Sequence, residues 1–131
     1  MIRASLPGSN ILLFGLNNQL ANGLTRALTG ADSAPERAAL QSAEDCSSVL
    51  KRTPVDLIFC SSKPHHVRKL LKLVSQNQPG VPVVVVSEEP EFSEWLDAME
   101  AGAADFCAAP FSQRELSKIL ASHLSNHVLA A

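Results

Sequence analysis

Short apolar runs alternate with amphipathic stretches along the whole chain. Asn10-Ile-Leu-Leu-Phe-Gly15 is a compact apolar run closed by glycine, the pattern of a strand buried on both faces. Leu20, Leu24, Ala27 and Leu28 then recur at helical spacing, with Asn17 or Asn18 available as the cap and Gly30 to close the helix. Glu44–Lys51 predicts a second, short helix. A strand near Ala38–Gln41 is expected from the alternation around it more than from its own pattern. Asp56–Ser61 is again a buried strand, and Pro64 stands where a helix beginning near His65 tolerates it, its apolar face made by Val67, Leu70, Leu71 and Val74. Gln78-Pro-Gly80 is a turn signal, and Val81–Val86 is the strongest strand in the chain, β-branched and apolar on both faces. Pro90 precedes a helix that carries Phe92, Trp95, Leu96 and Met99 and ends at Gly102. Ala104–Ala108 predicts the last strand. Ser112, with Glu115 three residues on, makes a capping box for a final helix striped by Leu116, Ile119, Leu120 and Leu124.

Five strands alternating with five helices predict an α/β fold: a doubly wound, five-stranded parallel sheet of order 2-1-3-4-5, covered on both faces through right-handed crossovers. A length of 131 residues fits one domain, with a core over about residues 10–124. The sequence shows no repeat and no linker, and the stretch after Ser125 is expected either to end the folded unit or to lead into a further domain.

Composition narrows the function classes. With 46% hydrophobic and 18% charged residues the chain is globular, and a net charge of −2 argues against nucleic acid as the main partner. No apolar run approaches the roughly 20 residues needed to span a bilayer. Residues Met1–Asn10 lack the apolar centre of a signal peptide, so a cytoplasmic location is expected. Cys46, Cys60 and Cys107 form no metal or redox spacing and are expected as reduced, buried thiols. His65 and His66 are adjacent and point about 100° apart on a helix, so they do not readily share an ion; His123 and His127 have the better spacing but lie near the chain end. Lys63, Arg68, Lys69 and Lys72 form a cationic strip, either a solvated helix face or a surface for an acidic partner. No nucleophile–base pair and no phosphate-cradling glycine loop is visible, so neither enzymatic activity nor a cofactor or metal is expected.

The run Ala98-Met-Glu-Ala-Gly-Ala-Ala-Asp-Phe-Cys-Ala-Ala-Pro-Phe-Ser-Gln-Arg-Glu-Leu116, with Pro54-Val-Asp-Leu-Ile-Phe59 and Val83-Val-Val-Val-Ser87 before it, resembles response-regulator receiver domains, over about residues 10–123. The resemblance implies the flavodoxin-like (CheY-like) fold and a phosphorylation site at the strand ends. In that family an acidic pair after the first strand binds Mg²⁺, and an aspartate ending the third accepts the phosphoryl group. A Thr or Ser after the fourth strand and a Lys after the fifth contact its oxygens. Here the acidic pair falls on Gly15 and Leu16, the acceptor on Ser61 or on Cys60, and the lysine on Ala109; Ser87 is kept. Phosphoryl transfer needs a nucleophile, a cation and positive groups aimed at the transition state. A serine with no adjacent base is a poor nucleophile, and Gly15 and Leu16 offer a hard cation no carboxylate.

The expectation is therefore an atypical receiver in two-component signalling, acting by phosphorylation-independent protein contacts or dimerisation. Its partner would meet the face made by the fourth helix, fifth strand and fifth helix, where Phe106, Trp95 and Phe92 are the switch and output candidates. An output domain would lie outside this sequence. The alternative is a rewired phosphoacceptor or small-ligand receptor built on Ser61, Ser87, Glu88 and Glu89. Each of these residues also has a plain role: Ser61 and Ser62 as the start of a polar loop, Glu88 and Glu89 as solvated loop acids, Phe106 as core.

Overall fold

The structure, a computed structural model, describes residues 10–29, 36–40, 43–88 and 91–130. Gly30, Gln41, Glu89, Pro90 and the side chains of Leu124 and His127 lie outside the described residues. The elements are β1 (Asn10–Phe14), α1 (Asn18–Thr29), β2 (Glu36–Leu40), α2 (Ala43–Arg52), β3 (Leu57–Ser61), α3 (Pro64–Asn77), β4 (Val83–Ser87), α4 (Phe92–Ala101), β5 (Asp105–Ala108) and α5 (Gln113–Ala130). The five strands form one parallel sheet of order β2-β1-β3-β4-β5, as the alternation predicts.

Period-two side-chain alternation sorts the strands onto two cores. Ile11, Leu13, Leu57, Phe59, Val84, Val86 and Cys107 pack with Leu20, Leu24, Leu28, Leu116 and Leu120 of α1 and α5. Leu12, Phe14, Ile58, Cys60, Val83 and Val85 pack on the other face with Leu50, Val67, Leu70, Val74 and Ala98 of α2, α3 and α4. Registers Phe14↔Cys60, Ser61↔Val86 and Ser87↔Ala108 bring the carboxyl ends of β1, β3, β4 and β5 to one rim.

Several boundaries move from their sequence positions. The edge strand β2 is Glu36–Leu40 rather than Ala38–Gln41. β4 begins at Val83 because Pro82 has no N–H to give a ladder; its carbonyl instead accepts from the Ile58 N–H at 3.0 Å. Asn17, not Asn18, caps α1, its Oδ1 accepting from the Leu20 N–H at 2.8 Å. The Ser112 hydroxyl accepts from the Glu115 N–H at 3.0 Å and starts α5, which continues past Ser125 to Ala130. Gln78 does more than turn the chain. Its Oε1 accepts from Val55 N–H at 2.9 Å while its Nε2 donates to the carbonyls of Leu50 and Thr53, tying the α2–β3 connection to the end of α3.

α4 inverts the usual sorting of large and small residues. Ala98 alone on this helix is buried, whereas Phe92, Trp95 and Leu96 are 73%, 43% and 37% exposed. Gly102 ends the helix in the left-handed region, φ 113°, where glycine carries no Cβ penalty.

Candidate functional site at the strand ends

β1 leaves the sheet through Gly15, whose φ of 74° turns the chain towards α1. Leu16 then points down into the α1–α5 core, 1% exposed, and contributes nothing polar to the rim. Asn17 caps α1 with its oxygen and donates with its Nδ2 to Glu88 Oε1 at 2.8 Å, joining the β1 and β4 loops across the rim.

At the end of β3 the two candidate acceptors separate. Cys60 is fully buried in the α2–α3–α4 core, and burial, with the Cys46 thiol beside it, pushes its pKa up to about 12. Ser61 lines the rim cavity, its Oγ 2.5 Å from His66 Nδ1. The His66 ring also covers Gly15 and meets Phe14 edge-on at 5.5 Å, with the His65 ring 4.3 Å away. Desolvation, with the positive charges of His65 and Lys63, holds the His66 pKa below its ordinary value. A neutral ring allows Nδ1 to accept the Ser61 hydroxyl hydrogen. The sequence shows no nucleophile–base pair; the chain makes one, because Pro64 starts α3 early enough for its first turn to bring His66 back over the strand end. The pair is closed over, with Ser61 only 5% exposed, and among the described residues no carboxylate orients the far side of the imidazole.

β4 ends in Ser87, whose Oγ donates to Glu94 Oε1 at 2.8 Å; Ser62 Oγ lies 3.5 Å from the other oxygen of the same carboxylate. Glu94, in the first turn of α4, thus reaches back over the ends of β3 and β4. Ala109 follows β5, half-buried against the α1–α5 core and joined to Pro110 by a cis peptide, and brings no charge. The resulting cavity, about 250 Å³, has Ser61, Ser62 and Ser87 on its walls, with the carboxylates of Glu88 and Glu94 and one cation, Lys63.

Among the described residues no group of three His, Cys, Asp or Glu side chains could hold a metal ion. His123 meets Asp105 at 3.5 Å. Phe106 is half-buried against the α2–α3–α4 core, while the rings of Phe92 and Trp95 pair at 5.5 Å on the outside of α4. Sequence reasoning had Ser61, Ser87 and Glu88 at the rim but missed Glu94, and weighed His66 only as a metal ligand. The signal available for both was position in the first turn of a helix that starts directly after a sheet end.

No known family profile matches the chain, and no curated protein does. Solved structures do. The receiver domain of a sensor histidine kinase from Pseudomonas aeruginosa PAO1, crystallised with magnesium in its active-site cleft, is 19% identical with a TM-score of 0.75, over 90% of this chain and 98% of that one. A protein assigned as a response regulator from Chloroflexus aurantiacus is 27% identical with a TM-score of 0.72, over the same shares. The chain has the receiver fold. A protein assigned to pilus assembly in Burkholderia pseudomallei K96243 is also similar to it, at 20% identity and TM-score 0.70, over 89% of this chain and 90% of that one. On the receiver fold, Gly15, Ser61, Ser87 and Ala109 all stand at the strand-end rim, whereas Leu16 has turned into the core. No helix among the described residues is long and apolar enough to cross a membrane.

Proposed function

We propose that this chain is an atypical receiver module that takes part in two-component-type signalling without aspartyl phosphorylation, acting through contacts with other proteins. The observation that carries this reading is the pair of internal hydrogen bonds at the rim. Both hydroxyls placed to meet a phosphoryl group are satisfied by the chain's own side chains, Ser61 by His66 and Ser87 by Glu94. A phosphoryl group entering there would displace both and face the carboxylates of Glu88 and Glu94 with Lys63 as the one cation on the cavity wall. Glu94 instead gives Ser87 a carboxylate partner from within the chain, which ties α4 to the rim without a phosphoryl donor. The exposed Phe92 and Trp95 on that helix, with Phe106 on the neighbouring β5, form the contact face. The likeness to a protein assigned to pilus assembly supports seeking the partner in assembly machinery as well as among regulators.

The test is intact mass and thermal unfolding in the presence of Mg²⁺ with acetyl phosphate or beryllofluoride. No gain in mass and no rise in melting temperature are expected. A second reading follows from the Ser61–His66 pair, in which Ser61 is itself the acceptor. A mass gain that Ser61→Ala abolishes would replace the first reading with this one.

A further inference from the structure

Phe92, Trp95, Leu96 and Met99 recur at i, i+3, i+4 and i+7, the spacing of a helix that buries one face in a core. The fold turns that face elsewhere. At about 100° per residue the four side chains share one arc of α4, roughly 100° wide and centred about 110° away from the buried Ala98. The groove between α3 and α4 is lined on its α4 side by Glu94, Asp97, Ala98, Glu100 and Ala101 and by none of the four, so the apolar stripe lies on the flank away from α3. That flank looks over the edge of the sheet. β5 is the last strand and α5 packs on the opposite face, so among the described residues no further helix covers it.

Charge is ordered across the same surface. From Glu88 to Gln113 the sequence has seven acidic residues and no Lys or Arg. Asp97 and Glu100 border the stripe on its α3 side, and Glu91 precedes the helix. Among the described residues none of these three makes an ion pair. Beyond the groove α3 presents Arg68, Lys69 and Lys72, all exposed. Passing from β5 towards α3, the surface is first apolar, then acidic, then cationic.

We infer that this flank of α4 takes a basic amphipathic helix from a partner protein, its apolar row on Phe92, Trp95, Leu96 and Met99 and its Lys or Arg side on Asp97 and Glu100. The inference rests on the reading of α4 as the contact face and gives that face a partner chemistry. Exposed apolar patches rimmed by polar residues mark interaction surfaces, and aromatic side chains are the usual anchors. The stripe runs about 10 Å along α4, two turns, which matches the apolar row of one helix. The acidic row repels the phosphates of nucleic acid and of anionic lipid, and the cationic row of α3 repels a basic surface wider than one helix. A second copy laid stripe on stripe would bring α4 against α4, where neither has a Lys or Arg to meet the acids.

Fluorescence anisotropy of labelled synthetic peptides of about four turns, added to the full chain without a phosphoryl donor, tests the pairing. One peptide has leucine at i, i+3, i+4 and i+7 with lysine between. A second has glutamate for each lysine, and a third has the first one's composition in an order that breaks the helical row. Binding is expected for the first alone, weakening about tenfold from low to high ionic strength. Trp95→Ala/Leu96→Ser is expected to abolish it with thermal unfolding unchanged. Asp97→Lys/Glu100→Lys is expected to transfer binding to the glutamate peptide, which also shows that this variant is folded. Glu115→Lys, on α5, is expected to leave it as it is. A lysine peptide that fails to bind, that Asp97→Lys/Glu100→Lys still binds, or that its reordered counterpart equals would overturn the inference. So would light scattering at twice the 14.0 kDa chain mass that Trp95→Ala/Leu96→Ser abolishes, which gives the stripe to a second copy, or co-sedimentation with phosphatidylcholine vesicles, which gives it to a membrane. A peptide that fails while acetyl phosphate adds no mass removes the partner chemistry alone; a bound peptide with a mass gain removes the phosphorylation reading alone.

Discussion

At Gly15 a methyl group would stand 2.7 Å from His66 Nδ1, and the φ of 74° is one that side chains rarely adopt. Gly15→Ala therefore combines a steric clash with backbone strain, and a loss of about 1–3 kcal/mol is expected in urea unfolding. Adding His66→Ala should restore the steric part and leave about 1 kcal/mol of backbone cost; equal losses in the single and double variants would show that the ring gives way freely. His66 also sets a pH dependence. Its pKa is pushed below the ordinary 6.5 by desolvation, with His65 and Lys63 adding to the effect. Between the lowered folded value and 6.5 the unfolded chain binds more protons than the folded one, so stability rises with pH through that window. The contribution is fully present above about pH 6.5 and is lost as pH falls through the folded pKa. Melting temperature is expected to fall from pH 7 towards pH 5, and His66→Gln to flatten the curve. An unchanged slope in that variant would place the titration elsewhere.

Glu94 links the rim to an entire helix. Ser87 and Ser62 are its partners, and α4 has only Ala98 buried, so little else fixes the helix. Glu94→Ala is expected to raise amide hydrogen exchange across α4 about tenfold, the equivalent of losing roughly 1.4 kcal/mol locally, with α1 and α5 unchanged. A uniform change over the molecule would mean that the carboxylate serves global stability. How far each element could be read from sequence follows from where it sits. β4 is plain because Val83–Val86 are buried on both faces and only a β-branched run satisfies that. β2 lies at the sheet edge, and Glu36-Arg-Ala-Ala-Leu40 carries no comparable apolar signal, so alternation alone located it. α4 was misleading in its apolar content, since its large residues face outward. The rim divides the same way. Ser61 and Ser87 terminate predictable strands, but His66 and Glu94 reach them only through the paths of the loops, which no periodicity encodes.

Across the whole molecule the sheet keeps two cores apart, and the three thiols are shared between them. Cys107 lies on the α1–α5 side, Cys46 and Cys60 on the other. Burial raises the pKa of Cys46 to about 11, of Cys60 to about 12 and, with Glu115 and Asp105 adding to it, of Cys107 to about 12. At neutral pH almost no thiolate is present on either face. Titration with a disulfide reagent should find no fast thiol in the native protein and three in denaturant. A single fast thiol would mark the face that opens first. The same layering bears on how folding can be watched. Trp95 is the chain's one tryptophan, there is no tyrosine, and its ring already stands 43% exposed on α4. Intrinsic emission is thus nearly blind to both cores: global unfolding moves that indole from partial to full hydration and shifts its spectrum little. An optical probe usually trusted for stability becomes a local gauge of a single helix surface, and melting of the sheet has to be followed by far-ultraviolet dichroism.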